Sequence, residues 1–172
     1  SCVSVLNEDA FVYFCGIDNR ERLKEIDLVA ELLDYEYEIN FDSKINYYDL
    51  AEFVFTIETI ANREQPDRIF IPHPGVHQDH VTVYYATLAA LRPHDTNYFV
   101  PNVFVYEGIH DLYWSEHVFK PNYYIEVDID KKIAAYSLYV SQLREHRSIE
   151  SVKHMAALRG GACKKPYAEA FS

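Results

Sequence analysis

The chain has 172 residues, enough for one domain with a real core and short for two. A hydrophobic content of 49% with 25% charged residues is ordinary for a globular protein and argues against a disordered one. The formal charge of −11 argues against nucleic acid or an anionic membrane as partner, since Lys131-Lys132 and Lys164-Lys165 come as isolated pairs rather than stripes.

Only five glycines are present, with no G-x-G-x-x-G or G-x-x-x-x-G-K-[ST], so a glycine-rich phosphate loop is not expected. Cys2, Cys15 and Cys163 are too few and too scattered for a disulfide framework or a thiolate zinc site. They fit reduced thiols in a cytoplasmic protein. No apolar stretch approaches the ~18–20 residues needed to span a bilayer, and no signal peptide is visible.

In chain order, Ala10–Cys15 is a short apolar run ending at Gly16 and reads as a buried strand. Residues 19–33 carry Leu23, Ile26, Val29, Ala30 and Leu33 at helical spacing. Residues 35–41, "YEYEINF", alternate as a strand, and 47–63 form a second amphipathic helix. Arg68–Ile71 is a buried strand that runs directly into "PHPGVHQDH". A helix is predicted over 79–91, strands over 102–106 and 123–127, and helices over 131–146 and 149–158, with an irregular tail from 160 to 172. Alternating strands and helices imply βαβ crossovers and an α/β fold with a mainly parallel sheet flanked by helices. Ligands in such folds bind beyond the carboxyl ends of the strands, where the histidine-rich stretch lies.

His77 and His80, three positions apart at a helix start, lie on one face with Asp79 beside them. Neutral imidazoles there suit Zn²⁺, a carboxylate can orient them, and a protonated imidazole can stabilise an oxyanion. On spacing alone the alternative stands that Asp79 is an ordinary N-cap and the histidines are loop residues. His73 precedes Pro74 outside the helix and has less support; His94, His110, His117, His146 and His154 read as surface or satisfied core residues. A zinc hydrolase needs about three protein ligands and an open position, so the cluster is half of a site.

Four segments in order resemble the PIG-L/LmbE-like zinc-dependent N-deacetylases. "RIFIPHPGVHQDHVTVYYATLAAL" is similar to that family's H-x-D-H motif, and "DNRERLKEIDLVAELL" to its R-x-x-E helix through Arg22 and Glu25. "KPNYYIEVDIDKKIAAYSLYVSQL" resembles the segment ending in Ser-Gln, and "RGGACKKPYAEAF" the closing segment. The resemblance implies a Rossmann-like fold and removal of an acetyl group from an N-acetylated sugar or glycoconjugate, commonly an N-acetylglucosamine unit. It implies His80 as a zinc ligand, His77 as the oxyanion-stabilising histidine, and Asp79 as an acidic support for its neighbours. With one or two histidines and carboxylate oxygens, Co²⁺, Fe²⁺ or Ni²⁺ would also suit the ligand set.

The family's first motif, His-Pro-Asp-Asp-Glu, which supplies two further ligands and the general base, has no counterpart here. The expectation is therefore that this segment lies upstream of Ser1, since loss of a central first strand would leave two open sheet edges. Arg22, Asp42, Tyr106 and Glu107 are candidate substrate contacts, and Tyr106, Tyr113 and Trp114 candidate sugar-stacking rings. The aromatics near 98–119 suit a contact between copies in a homo-oligomer. A catalytically inactive homologue that binds a glycan or protein partner through the same cleft is the alternative.

Overall fold

The computed structural model describes residues 9–17, 19–40, 49–93, 95–112, 114 and 118–172. Its contacts divide into two compact units, one formed by Ser1–Asp42 with Lys120–Ser172 and one by Ser43–Phe119.

In the first unit, β1 (Phe11–Phe14), α1 (Arg20–Leu33) and β2 (Glu36–Ile39) form a βαβ element. Asn19 starts the helix by accepting from the Glu21 amide at 2.8 Å, and Asp34 ends it in the left-handed region at φ 56°. The two strands then pair in parallel, Phe11 against Glu36 through Phe14 against Ile39. Burial pushes the Cys15 thiol up to about 12, so it is inert at neutral pH. Val29 and Leu33 of α1 pack on Ala135 of α4 (Ile129–Leu138). Val127 and Ile129 pack on Ala156 of α5 (Ile149–Cys163). β5 (Tyr123–Glu126) and β6 (Ala168–Phe171) pair antiparallel, and Phe171 is fully buried.

Two expectations differ from what is observed here. The helix expected over 131–146 stops at Leu138 and gives way to 3₁₀ turns at Val140–Gln142 and Glu145–Arg147. The cause is distant in sequence: the buried Glu25 carboxylate accepts from the Ser141 amide at 2.7 Å and from its hydroxyl at 2.6 Å. The R-x-x-E and Ser-Gln segments thus meet as a structural lock. The tail expected to be irregular is instead a longer α5 followed by β6. Lys164 adopts φ 60° and the Lys165 amide returns to the Gly160 carbonyl at 2.9 Å.

That turn makes neighbouring glycines opposite in character. A Cβ on Gly160 would sit 2.5 Å from the Lys165 carbonyl oxygen and 2.8 Å from the Pro166 carbonyl carbon, both backbone, whereas one on Gly161 would meet nothing within 4 Å. Gly160→Ala should cost about 1–3 kcal/mol. Gly161→Ala should gain roughly 0.5–1 kcal/mol from reduced unfolded-state entropy. Urea midpoints of the two variants check the opposite signs.

In the second unit, Asp49 caps α2 (Leu50–Glu64) by accepting from the Ala51 and Glu52 amides at 2.8 and 3.1 Å. β3 (Arg68–Pro72), α3 (Gln78–Ala90) and β4 (Asn102–Tyr106) form a second βαβ element. β3 and β4 run parallel from Arg68 against Asn102 to Pro72 against Tyr106, with Phe70 and Phe104 stacked at 5.2 Å between ring centroids. α3 packs on β3 and α2 packs on α3. The fold is α/β and Rossmann-like, as the element order predicts.

Candidate active site

The carboxyl ends of β3 and β4 lie side by side because their register pairs Pro72 with Tyr106. One further bond extends the pairing, from the His73 amide to the Tyr106 carbonyl at 2.7 Å. Beyond it the two connections diverge from the ladder, and each brings histidines. The loop after β3 carries His73 and His77 and leads to His80 in the first turn of α3. The chain after β4 carries Glu107, Gly108 and the 3₁₀ turn Ile109–Leu112, with His110 and Asp111.

The N-cap of α3 is His77, not Asp79. Its ring makes no capping bond, although its carbonyl accepts from the Val81 amide at 3.0 Å and so opens the helix. Asp79 falls in the first turn, where its charge suits the positive end of the helix. Its Oδ2 lies 3.9 Å from His77 Nδ1. The helix start therefore gives up a capping side chain, and the imidazole that replaces it is 44% exposed.

His77 and His80 have ring centroids 4.8 Å apart, and His110 lies 5.2 Å from His80 and 6.3 Å from His77. Three imidazoles thus share one corner. Burial first, then the neighbouring His77 and His110, hold the His80 pKa down to about 4, against a smaller opposing pull from Asp111. His80 is neutral at pH 7, with a buried Nδ1 that has no hydrogen-bond partner. Below the corner, Asp111 is enclosed, with Oδ1 3.6 Å from both His73 Nδ1 and His110 Nε2.

His80 takes up a proton near pH 6.5 when unfolded and near 4 when folded, so the metal-free chain loses stability as pH falls through that window. The loss reaches about 3 kcal/mol below pH 4 and is absent above about 6.5. Urea midpoints at pH 7 and at about pH 4.5 for the wild type and His80→Leu check it: the wild type should fall more steeply, by most of that margin.

His77, Asp79 and His80 lie together, as their spacing predicts. Two further residues join them: His110, which reads in the sequence as a surface or core residue, and His73, which carries little weight there. His146 and His154 are exposed, as expected. Tyr106 ends β4 half-buried, and Glu107 behind it is buried. Trp114 is 75% exposed, and its amide donates to the His110 carbonyl at 2.9 Å. Arg22 lies on α1 in the other unit, half-buried. Asp42, Tyr113, His94 and His117 lie outside the described residues. His110 and Asp111 carry the same signal as His77–His80: a His beside an Asp shortly past the end of a parallel strand.

The resemblance implies zinc, and the donors can be tested against it. His80 offers a neutral imidazole with an unengaged buried nitrogen, as a ligand should. Among the described residues, however, no three His, Cys, Asp or Glu side chains are arranged to hold one ion together. These residues offer one candidate donor and not a shell.

No protein-family model matches the sequence, and no curated protein does. Solved structures do share the fold. A conserved protein of Thermus thermophilus is 22% identical, with 99% of this chain and 86% of that one covered at a TM-score of 0.81. The N,N′-diacetylchitobiose deacetylase of Pyrococcus horikoshii is 18% identical over 99% of this chain and 74% of its own, with a TM-score of 0.72. GalB, the 4-carboxy-2-hydroxymuconate hydratase of Pseudomonas putida, is 21% identical over 88% of this chain and 70% of its own, at a TM-score of 0.71. One fold therefore carries both a deacetylase and a hydratase, and the choice between such chemistries rests on the site.

Proposed function

We propose that the chain is an amide hydrolase that removes an acetyl group from an N-acetylated sugar of the N-acetylglucosamine type. The observation that carries this is the placing of His77, Asp79 and His80 at the carboxyl end of β3, in a fold shared with the diacetylchitobiose deacetylase. In this reading His77 donates to the oxyanion that develops on the acetyl carbonyl, and Asp79 holds the His77 ring at its Nδ1 edge. His80, neutral at pH 7, is a zinc ligand, and the remaining ligands and the general base come from outside the described residues. When bound, such a metal supplies an acidified water and a polarising charge. Arg22, Asp42, Tyr106 and Glu107 stand as candidate substrate contacts, and Trp114 as an exposed stacking ring.

The incomplete ligand set among the described residues favours a second reading, a non-catalytic homologue that binds a glycan or a protein partner through the same corner. One assay separates the two. Acetate release from N-acetylglucosamine and its β-1,4 dimer, abolished by a chelator and restored by Zn²⁺, supports the hydrolase. Saturable sugar binding without acetate release supports the second reading, and neither binding nor release rejects both. Among the described residues no helix is long and apolar enough to cross a membrane.

A further inference from the structure

We propose that Asp111 is a positioning residue that ties the two histidine-bearing connections together and sets the tautomers of His73 and His110. Its side chain has no solvent exposure. A carboxylate so enclosed must be compensated. Oδ2 accepts from the Gly108 amide at 2.7 Å, and the Asp111 amide returns to the Gly108 carbonyl at 3.0 Å, which fixes the carboxylate to its own turn.

Oδ1 faces across to the other connection. It lies 3.6 Å from His73 Nδ1 and 3.6 Å from His110 Nε2, and the backbone of Gly75 presses on it so closely that a Cβ there would come within 2.5 Å. Gly75 itself has φ +43°, a conformation that glycine adopts without strain. The loop that leads to His77 is thus moulded around one carboxylate oxygen. Oδ1, His73 Nδ1 and His110 Nε2 are all buried and none of these three atoms has a hydrogen-bond partner, so the two nitrogens face Oδ1 at 3.6 Å with no other hydrogen-bonding group to compensate them.

An ionised carboxylate can only accept, so the nitrogens turned toward it are the ones that carry protons. His73 then holds its proton on Nδ1 and packs edge-on against Phe119 at 5.4 Å. His110 holds its proton on Nε2, and its ring is fixed 5.2 Å from that of His80. Asp111 acts through these rings: it sets the distance between the His110 turn and the start of α3 without itself touching a substrate.

The effect on catalysis rests on the hydrolase reading; the tautomer assignment does not. Two-bond ¹H–¹⁵N correlation spectra of the labelled full chain should show His73 protonated at Nδ1 and His110 at Nε2. Asp111→Asn should redistribute both tautomers and move the His80 ring signals. If the wild type releases acetate, Asp111→Asn should lower kcat about 10–100-fold and leave KM within about twofold, the range seen when a carboxylate orienting an active-site histidine is lost. Opposite tautomers in the wild type overturn the proposal, as do unchanged histidine signals in a folded Asp111→Asn chain or an unchanged kcat. Should that variant fail to fold, the wild-type spectra alone decide; should no acetate be released, the hydrolase reading fails and the tautomer arm still stands or falls by itself.

Discussion

His77→Asn should make the protein more stable and almost inactive. Asparagine is among the best N-cap residues, and at 77 its side chain would accept from the free amides of the first turn of α3, a gain of roughly 0.5–1 kcal/mol. Histidine at that position makes no such bond in the structure. Its ring is half in solvent, packed mainly against His80, so little packing is lost on replacement. If the ring stabilises an oxyanion, removing it should lower kcat for acetate release about 10²–10³-fold. The combination is diagnostic, because a site residue commonly holds its place at the expense of local stability. Denaturation midpoints and turnover measured on one preparation check it. A variant that is stabilised and fully active would return His77 to an ordinary loop residue.

Glu25→Ala should be the most destabilising single change among the polar residues of the first unit, by about 3–5 kcal/mol. Glu25 is buried, and both its oxygens receive a bond from Ser141, one from the amide and one from the hydroxyl. Bonds to a charged group contribute about 1.5–3 kcal/mol each, and truncation also leaves the Ser141 amide without an acceptor. Ser141→Ala removes only the hydroxyl bond and should cost about 1–2 kcal/mol. The two changes act on one contact, so the double variant should lose less than the sum by at least about 1 kcal/mol. Urea unfolding of all four chains measures that coupling. Additive losses would mean that the contact contributes little.

The features legible in the sequence are those whose cause is local. The spacing of Ile26, Val29, Ala30 and Leu33 forecasts α1, and the alternation or apolarity of short runs forecasts β1 through β5. The crowding of "HPGVHQDH" after a buried strand points to the corner where the imidazoles gather. What the sequence hides depends on partners far along the chain. Nothing near Ser141 says that a carboxylate from α1 will capture it and break the helix expected to run on to His146. The period-two pattern in "YAEAF" is only five residues long. Its pairing partner Tyr123–Glu126 lies some forty positions away, so the closing strand looks like an irregular tail. His110 and Asp111 lack helical spacing, and only the β3–β4 register brings them to the histidines of the other connection.

The bond between Glu25 and Ser141 closes a separation of 116 residues. It therefore also sets a clock. At a synthesis rate of about 5–20 residues per second, α1 leaves the ribosome roughly 6–23 s before its lock on Ser141 has been made. For that interval the helix has its β1–β2 partners but neither Ser141 nor Ala135 to close against, while the unbroken stretch Ser43–Phe119 can already assemble β3, α3 and β4. Nascent chains arrested before Ser141 should accordingly be cut within α1 by a protease that leaves the 68–106 region intact.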